Sequence, residues 1–262
     1  MSDVKESRRV DLQKLASSGV THAGLWLDRY LPNQDKGDTK ATHFVEVAKI
    51  ANHAAESTEY KQFLKRWRDN LTEAGAVLYE ATVNGRMVVG LGNESVLETS
   101  VTLHRTYGVP YIPGSALKGL AATFAHQRLG GEWAKGKSLH NELFGSTDLS
   151  GCVTFYDALY KPGSGVKDKN DKPCVLWRDV MTVHHPDYYQ GDKPPADWDS
   201  PNIIPFLSAT GSYIVAISSI SGDVVWAKAA HTILCNALNH LGIGAKTSSG
   251  YGRMTLGESK TK

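Results

Sequence analysis

An α+β fold made of two β-α-β units around a long insertion is what this sequence predicts, on three observations. Short apolar runs suited to strands recur at 77–83, 151–160, 210–219 and 251–256. Apolar residues at helical spacing fill the stretches between the first pair of runs and between the last pair. Residues 161–205 keep neither period and are rich in Gly, Pro, Asp and Lys, as an insertion would be.

The elements follow in order. Phe44, Val47, Ala48 and Ala51, then Tyr60, Phe63, Leu64, Trp67 and Leu71, repeat at helix spacing. Residues 1–75 therefore read as a helical extension. Lys61, Lys65, Arg66 and Arg68 lie among them and read first as a solvated face, with an RNA or partner contact as the second reading. Val77, Tyr79, Ala81 and Val83 alternate with Leu78, Glu80 and Thr82, which makes a strand. Asn84-Gly85 after it predicts a hairpin, because a type I′ turn needs two residues that tolerate positive φ. From Gly114 the period turns helical through Leu117, Leu120, Ala121, Phe124, Arg128 and Leu129, with Ser115 as the expected cap. GCVTFYDALY is the next strand and closes a first half-core at 76–160.

Within the 161–205 insertion, VLWRDVMTVHHPDYY has the composition of a structured segment. The second half-core, 206–262, holds TGSYIVAISS as a buried strand and a helix capped by Asp223. That helix has an apolar face of Trp226, Ala230, Ile233, Leu234, Ala237, Leu238 and Leu241, and Gly242 stops it. YGRMTL is the last strand. The order is β-α-β, insertion, β-α-β, a ferredoxin-like (RRM-like) βαββαβ core.

Composition narrows the function classes. The 41% hydrophobic fraction suffices for a core, and no apolar run approaches the ~20 residues that cross a bilayer. The opening MSDVKESRRVDLQKL mixes charges without an apolar stretch, so a secretory leader is not expected and the cytoplasm is. Cys152, Cys174 and Cys235 are too widely spaced for a zinc knuckle or a disulfide framework, and no cofactor or metal is expected. A net charge of +2 does not announce a nucleic-acid binder, so RNA contact would have to come from local patches.

Two segments could form such patches. In PYIPGSALKGL, Gly114 and Ser115 open a helix whose free N–H groups and dipole favour an anion, and Lys118 sits in the first turn, where a cation is otherwise misplaced. The alternative reading, Lys118 extending into water at small cost, stands beside it. In GIGAKTSSGYGRM, Gly242, Gly244, Gly250 and Gly252 permit close backbone approach, and Lys246, Ser248, Ser249 and Arg253 supply donors for phosphate and ribose. The loop runs from helix to strand, so it is neither a dinucleotide fingerprint nor a Walker loop.

Taken together, the segments resemble the RAMP superfamily of CRISPR-associated proteins. The four glycines match its C-terminal G-h-G-x5-G-h-G pattern, and IPGSALKG matches its other signature. Residues 90–120, LFGSTDLSGCVTFYDA and the HHPDYYQ…PPADWDSPNIIPF stretch look like one branch, the sixth subunits of type III-B (Cmr) effector complexes. The resemblance implies a non-catalytic subunit that binds CRISPR RNA and caps the backbone filament near the guide 3′ end. The repeating backbone subunit, the small helical subunit and the first Cmr subunit would be its neighbours, with target RNA a further candidate contact. The chain lacks the aromatic signature of RNA recognition motifs, so backbone and 2′-hydroxyl contacts from loops are expected rather than stacking on the sheet.

Two other classes stay in view. A metal-independent RNA-processing nuclease could use His104 with Arg105 and Lys118, or His184-His185; a hydrogen-bonded loop histidine is the preferred reading of His104. Asp179, Asp187, Asp192, Asp197 and Asp199 read as turn formers rather than metal ligands. A structural adaptor would use Trp177, Tyr188, Tyr189 and Trp198 as interface aromatics. For the RNA subunit, the expected geometry is a shelf on which Gly114–Lys118 and Gly244–Arg253 lie side by side, bordered by His104 and Arg105.

Overall fold

The computed structural model describes residues 11, 14–31, 37–95, 97–183, 191, 194, 201–220 and 224–257. The N-terminal segment folds as α1 (Ala23–Arg29), α2 (Gly37–Ala55) and α3 (Thr58–Glu73). Ser57 caps α3 by accepting the Tyr60 N–H. Of the residues spaced for helices, Phe44, Val47, Ala48, Ala51, Tyr60 and Leu64 are buried. The Tyr60 hydroxyl donates to the Tyr160 carbonyl over 2.8 Å, tying α3 to the sheet.

The central sheet is built from β1 (Val77–Val83), β2 (Tyr111–Ile112), β3 (Val153–Phe155), β4 (Ala158–Tyr160), β9 (Ser212–Ser219) and β10 (Met254–Leu256). Its order is β10-β1-β9-β4-β2, with β3 also on β9, and every pairing is antiparallel. Helix α4 (Gly114–Phe124) lies in sequence between β1 and β3, and α6 (Val224–His240) between β9 and β10. The long chain between α4 and β3 holds one π turn and α5 (Ser138–Phe144).

Alternation decides which face is core. Tyr79, Ala81 and Val83 are buried, and the register sets Val215 opposite Tyr79 and Tyr213 opposite Ala81, on the same face. Tyr79 stacks on His231 of α6 with ring centres 3.8 Å apart, so that face is the one beneath α6. The other face is more polar: Glu80 pairs with Lys161 at 2.8 Å, beside Arg68.

The insertion has its own order. A short hairpin, β5 (Val166–Lys167) with β6 (Pro173–Cys174), precedes a long antiparallel ribbon, β7 (Leu176–Val183) with β8 (Asn202–Ala209). Asp223, His184, His185, Tyr188, Tyr189, Trp198 and the aspartates at 187, 192, 197 and 199 lie outside the described residues.

Three expectations need correction. Asn84-Gly85 does not turn a hairpin: β9 and β10 already occupy both edges of β1, so no edge is left for a returning strand. The chain instead leaves the sheet, with one bridge between Met87 and Ala209. Ser115 does not cap α4; the Gly114 N–H donates to Asp157 Oδ1 at 2.7 Å, and Ser115 lies exposed in the first turn. The run 151–160 is two strands, because Tyr156 and Asp157 break it where Asp157 reaches the helix. The helical run after Gly114 reaches Leu129 as expected, α-helical to Phe124 and a π turn over Ala125–Leu129.

Burial holds His43, His140 and His231 below the ordinary histidine range, and His126 and Lys135 add to this at His140. A lowered native pKa means the unfolded chain takes up protons first as pH falls. Their contribution is therefore complete above the unfolded pKa of ~6.5 and is lost as pH drops through the native values. The urea midpoint is expected to fall between about pH 7.5 and about pH 5.5, with a shallower fall in His231→Phe, which keeps the ring on Tyr79 and removes the titration.

Candidate nucleic-acid interface

The glycine-rich loop joins α6 to β10. Gly242, Gly244, Gly250 and Gly252 all have positive φ. A side chain at Gly244 would run into the Val88 carbonyl, and one at Gly252 into the Ile243 carbonyl. These two glycines thus serve the loop's own closure and its seat on the chain after β1. That seat is hydrogen-bonded: Ala245 N–H donates to Val88 O and Gly252 N–H to Arg86 O, each at 2.8 Å.

The loop's cations are held differently. Lys246 has φ 59°, its carbonyl accepts from Ser249 and Tyr251, and its ammonium lies 5.7 Å from the Phe206 ring centre on β8. Ser248 and Ser249 are exposed on a short 3-10 turn. Arg253 donates from one guanidinium nitrogen to the Asn239 carbonyl at 3.0 Å, satisfying the C-terminal end of α6.

The helix start forms a second group. Asp157 holds the Gly114 N–H, and Lys118 lines a cleft of about 510 Å³ with Phe144, Thr154, Phe155 and Ile220 among others. His104 packs against Phe63, Tyr107 and Tyr111, and its Nδ1 accepts the Thr106 N–H at 3.2 Å. Burial lowers its pKa against the opposing pull of Asp157, so it is a neutral, engaged loop histidine. Arg105 is exposed on the wall of another cleft, near His22 and Leu103.

These two groups do not form the expected shelf. The loop is bonded at the Ser212 end of β9, through Asn84 to Arg253 and Val83 to Gly211. The Lys118 cleft opens toward the Ser219 end, beside Ile220 and Thr154. The strand between those ends is about 23 Å long at ~3.3 Å per residue.

Sequence reasoning also missed residues beside the loop. Asp179 is no turn former: it lies on β7, and its Oδ2 accepts from the Tyr251 hydroxyl at 2.7 Å and from Ser208 at 3.3 Å. Arg86 donates to Ser208 at 3.2 Å and lies 5.0 Å from the Trp177 ring centre. Among the described residues no group of three His, Cys, Asp or Glu side chains could hold a metal, and no helix is long and apolar enough to cross a membrane.

Comparison with known proteins accounts for this combination of glycine loop and split sheet. The sequence pattern of the RAMP superfamily matches residues 80–255. This chain belongs to the RAMP superfamily. It is 32% identical to the CRISPR system Cmr subunit Cmr6 of Pyrococcus furiosus, over 74% of this chain and 72% of that protein. The Cmr6 subunit of Saccharolobus solfataricus is 27% identical over 74% of this chain, which spans 64% of that protein's length. A chain in the cryo-EM structure of the type III-B Cmr-β complex bound to cognate target RNA superposes with a TM-score of 0.64 at 22% identity. That match covers 87% of this RAMP chain and 78% of the other, a likeness of fold.

The Asp157 cap lends itself to a direct test. Asp157→Ala is expected to lower stability by ~1 kcal/mol, read from urea unfolding, whereas Ser115→Ala stays within ~0.5 kcal/mol of the parent.

Proposed function

We propose that this chain is a non-catalytic CRISPR RNA-binding subunit of a type III-B effector complex. In this reading it caps the backbone filament near the guide 3′ end. It sits among the repeating backbone subunit, the small helical subunit and the first Cmr subunit, in the cytoplasm, with target RNA within reach. The observation that carries the reading is the 32% identity to a Cmr6 subunit over most of both chains. The core is read as ferredoxin-like (βαββαβ). In support, the sheet order of the principal strands is last, first, third, second, with α4 and the short α5 inside the first half and α6 inside the second.

RNA contact is assigned first to the loop. Lys246, Ser248, Ser249 and Arg253 offer donors there, and Gly244 and Gly250 leave exposed backbone that a phosphate can approach, with Gly242 and Gly252 buried beneath. The Gly114–Lys118 helix start with Ser115, His104 and Arg105 makes a separate contact region. Affinity in this scheme is electrostatic and indifferent to sequence. The absence of catalysis is favoured by His104, whose Nδ1 accepts the Thr106 N–H and whose ring packs among Phe63, Tyr107 and Tyr111.

The test is binding and cleavage of labelled CRISPR RNA by the full chain, without divalent metal and across a salt series. Retention without cleavage is expected, weakening by about 0.7 log units per log unit of salt for each phosphate contact. Lys246→Ala is expected to remove about one such contact from the slope. Cleavage that vanishes in His104→Ala would make the chain a processing nuclease. No binding by the chain alone, with RNA retention by the assembled complex unaffected by Lys246→Ala with Arg253→Ala, would make it an adaptor.

A further inference from the structure

A polar network outside the family motifs joins the glycine loop to the β7–β8 ribbon. Asp179 stands at its centre. One carboxylate oxygen accepts from Tyr251 of the loop and from Ser208 of β8, and Ser208 in turn accepts from Arg86. Arg86 rests on Trp177 of β7, Lys246 on Phe206 of β8, and Phe206 lies 5.9 Å from the Tyr251 ring. The backbone closes the same circle. Arg86 and Val88 carbonyls take the Gly252 and Ala245 N–H groups, while Met87 and Ala209 exchange hydrogen bonds of 2.9 and 2.6 Å.

The chemistry of this circle is one-sided. Its lone carboxylate is spent on two hydroxyl donors. Among the described residues, neither Arg86 nor Lys246 has an ion pair with an acidic side chain. Two cations are therefore fixed over aromatic rings, at the seat of a loop whose Ser248 and Ser249 are exposed. Cations held in place by packing lose less side-chain freedom when a phosphate arrives than cations on free stems do.

We propose that Asp179, through Tyr251 and Ser208, is a positioning residue that locks the glycine loop to the base of the ribbon and sets Arg86 and Lys246 as one preassembled cation pair for an RNA backbone. The ligand class rests on the RNA reading above; the lock itself does not. Arg86 thereby joins the RNA surface although no glycine or helix motif contains it. The Tyr251 hydroxyl, pushed up to about 12 by burial and by Asp179, remains a donor at neutral pH.

The experiment has two arms on the full chain. In the RNA-free protein, amide exchange at Ala245 and Gly252 is compared between the parent, Tyr251→Phe, Asp179→Ala and Asp179→Asn. Faster exchange is expected in Tyr251→Phe and Asp179→Ala, and restoration toward the parent in Asp179→Asn, which keeps an acceptor for the hydroxyl. In the second arm, retention of labelled single-stranded RNA is expected to weaken about 3- to 10-fold in Tyr251→Phe. Arg86→Ala weakens it as well, and Tyr251→Phe adds little once Lys246 is already alanine. Unchanged exchange in Tyr251→Phe would overturn the lock. Faster exchange with full RNA retention, while Lys246→Ala still loses RNA, would overturn its role in positioning. If Lys246→Ala also retained RNA, the ligand class would fall while the exchange arm still judged the lock.

Discussion

Both edges of β1 are taken, and much of the molecule follows from that. With β9 on one side and β10 on the other, the chain leaving Val83 has no strand to join. It turns out over the end of the sheet and spends its backbone on other partners. Arg86 and Val88 accept from the glycine loop, and Met87 pairs with Ala209 at the root of the ribbon. Three consecutive residues thus receive the loop that precedes β10 and the ribbon that precedes β9. The glycines at 244 and 252 are small because this junction is crowded with backbone.

The same crowding separates two roles that a glycine-rich loop can play. Gly244 and Gly252 are explained by contacts inside the protein, and Arg253 by the end of α6. Ser248 and Ser249 are left exposed, with Lys246 half-buried beside Phe206. A near-neutral chain of net charge +2 has no broad field to draw RNA, so in the proposed reading cations placed by packing carry the attraction. On the other end of the sheet, Lys118 stands in a cleft of its own, and Asp157 already occupies the helix start at Gly114.

Much of the architecture was legible because it rests on local periodicity. The strands at 77–83 and 212–219 and the helix at 224–240 fall where alternation or helical spacing puts them. What failed was decided by tertiary partners. Asn84-Gly85 has hairpin chemistry, but a hairpin needs a free edge, and edge occupancy is not a local property. Ser115 is a good capping residue two positions past the N-cap at Pro113, and the real cap, Asp157, is distant in sequence. In the site, glycines and cations are visible as a pattern, whereas Asp179 and Arg86 carry no motif. Their one signal was a carboxylate within the alternating run of β7 and an arginine directly after a turn dipeptide.

The central claim is that RNA meets the protein at the junction of β1, the glycine loop and the ribbon. Photo-crosslinking of CRISPR RNA within the assembled effector complex, read peptide by peptide, tests it most directly. The account predicts crosslinks in the peptides containing Arg86 and residues 244–253. Crosslinks confined to the basic face of α3 or to the Lys118 cleft, with the loop untouched, would contradict it.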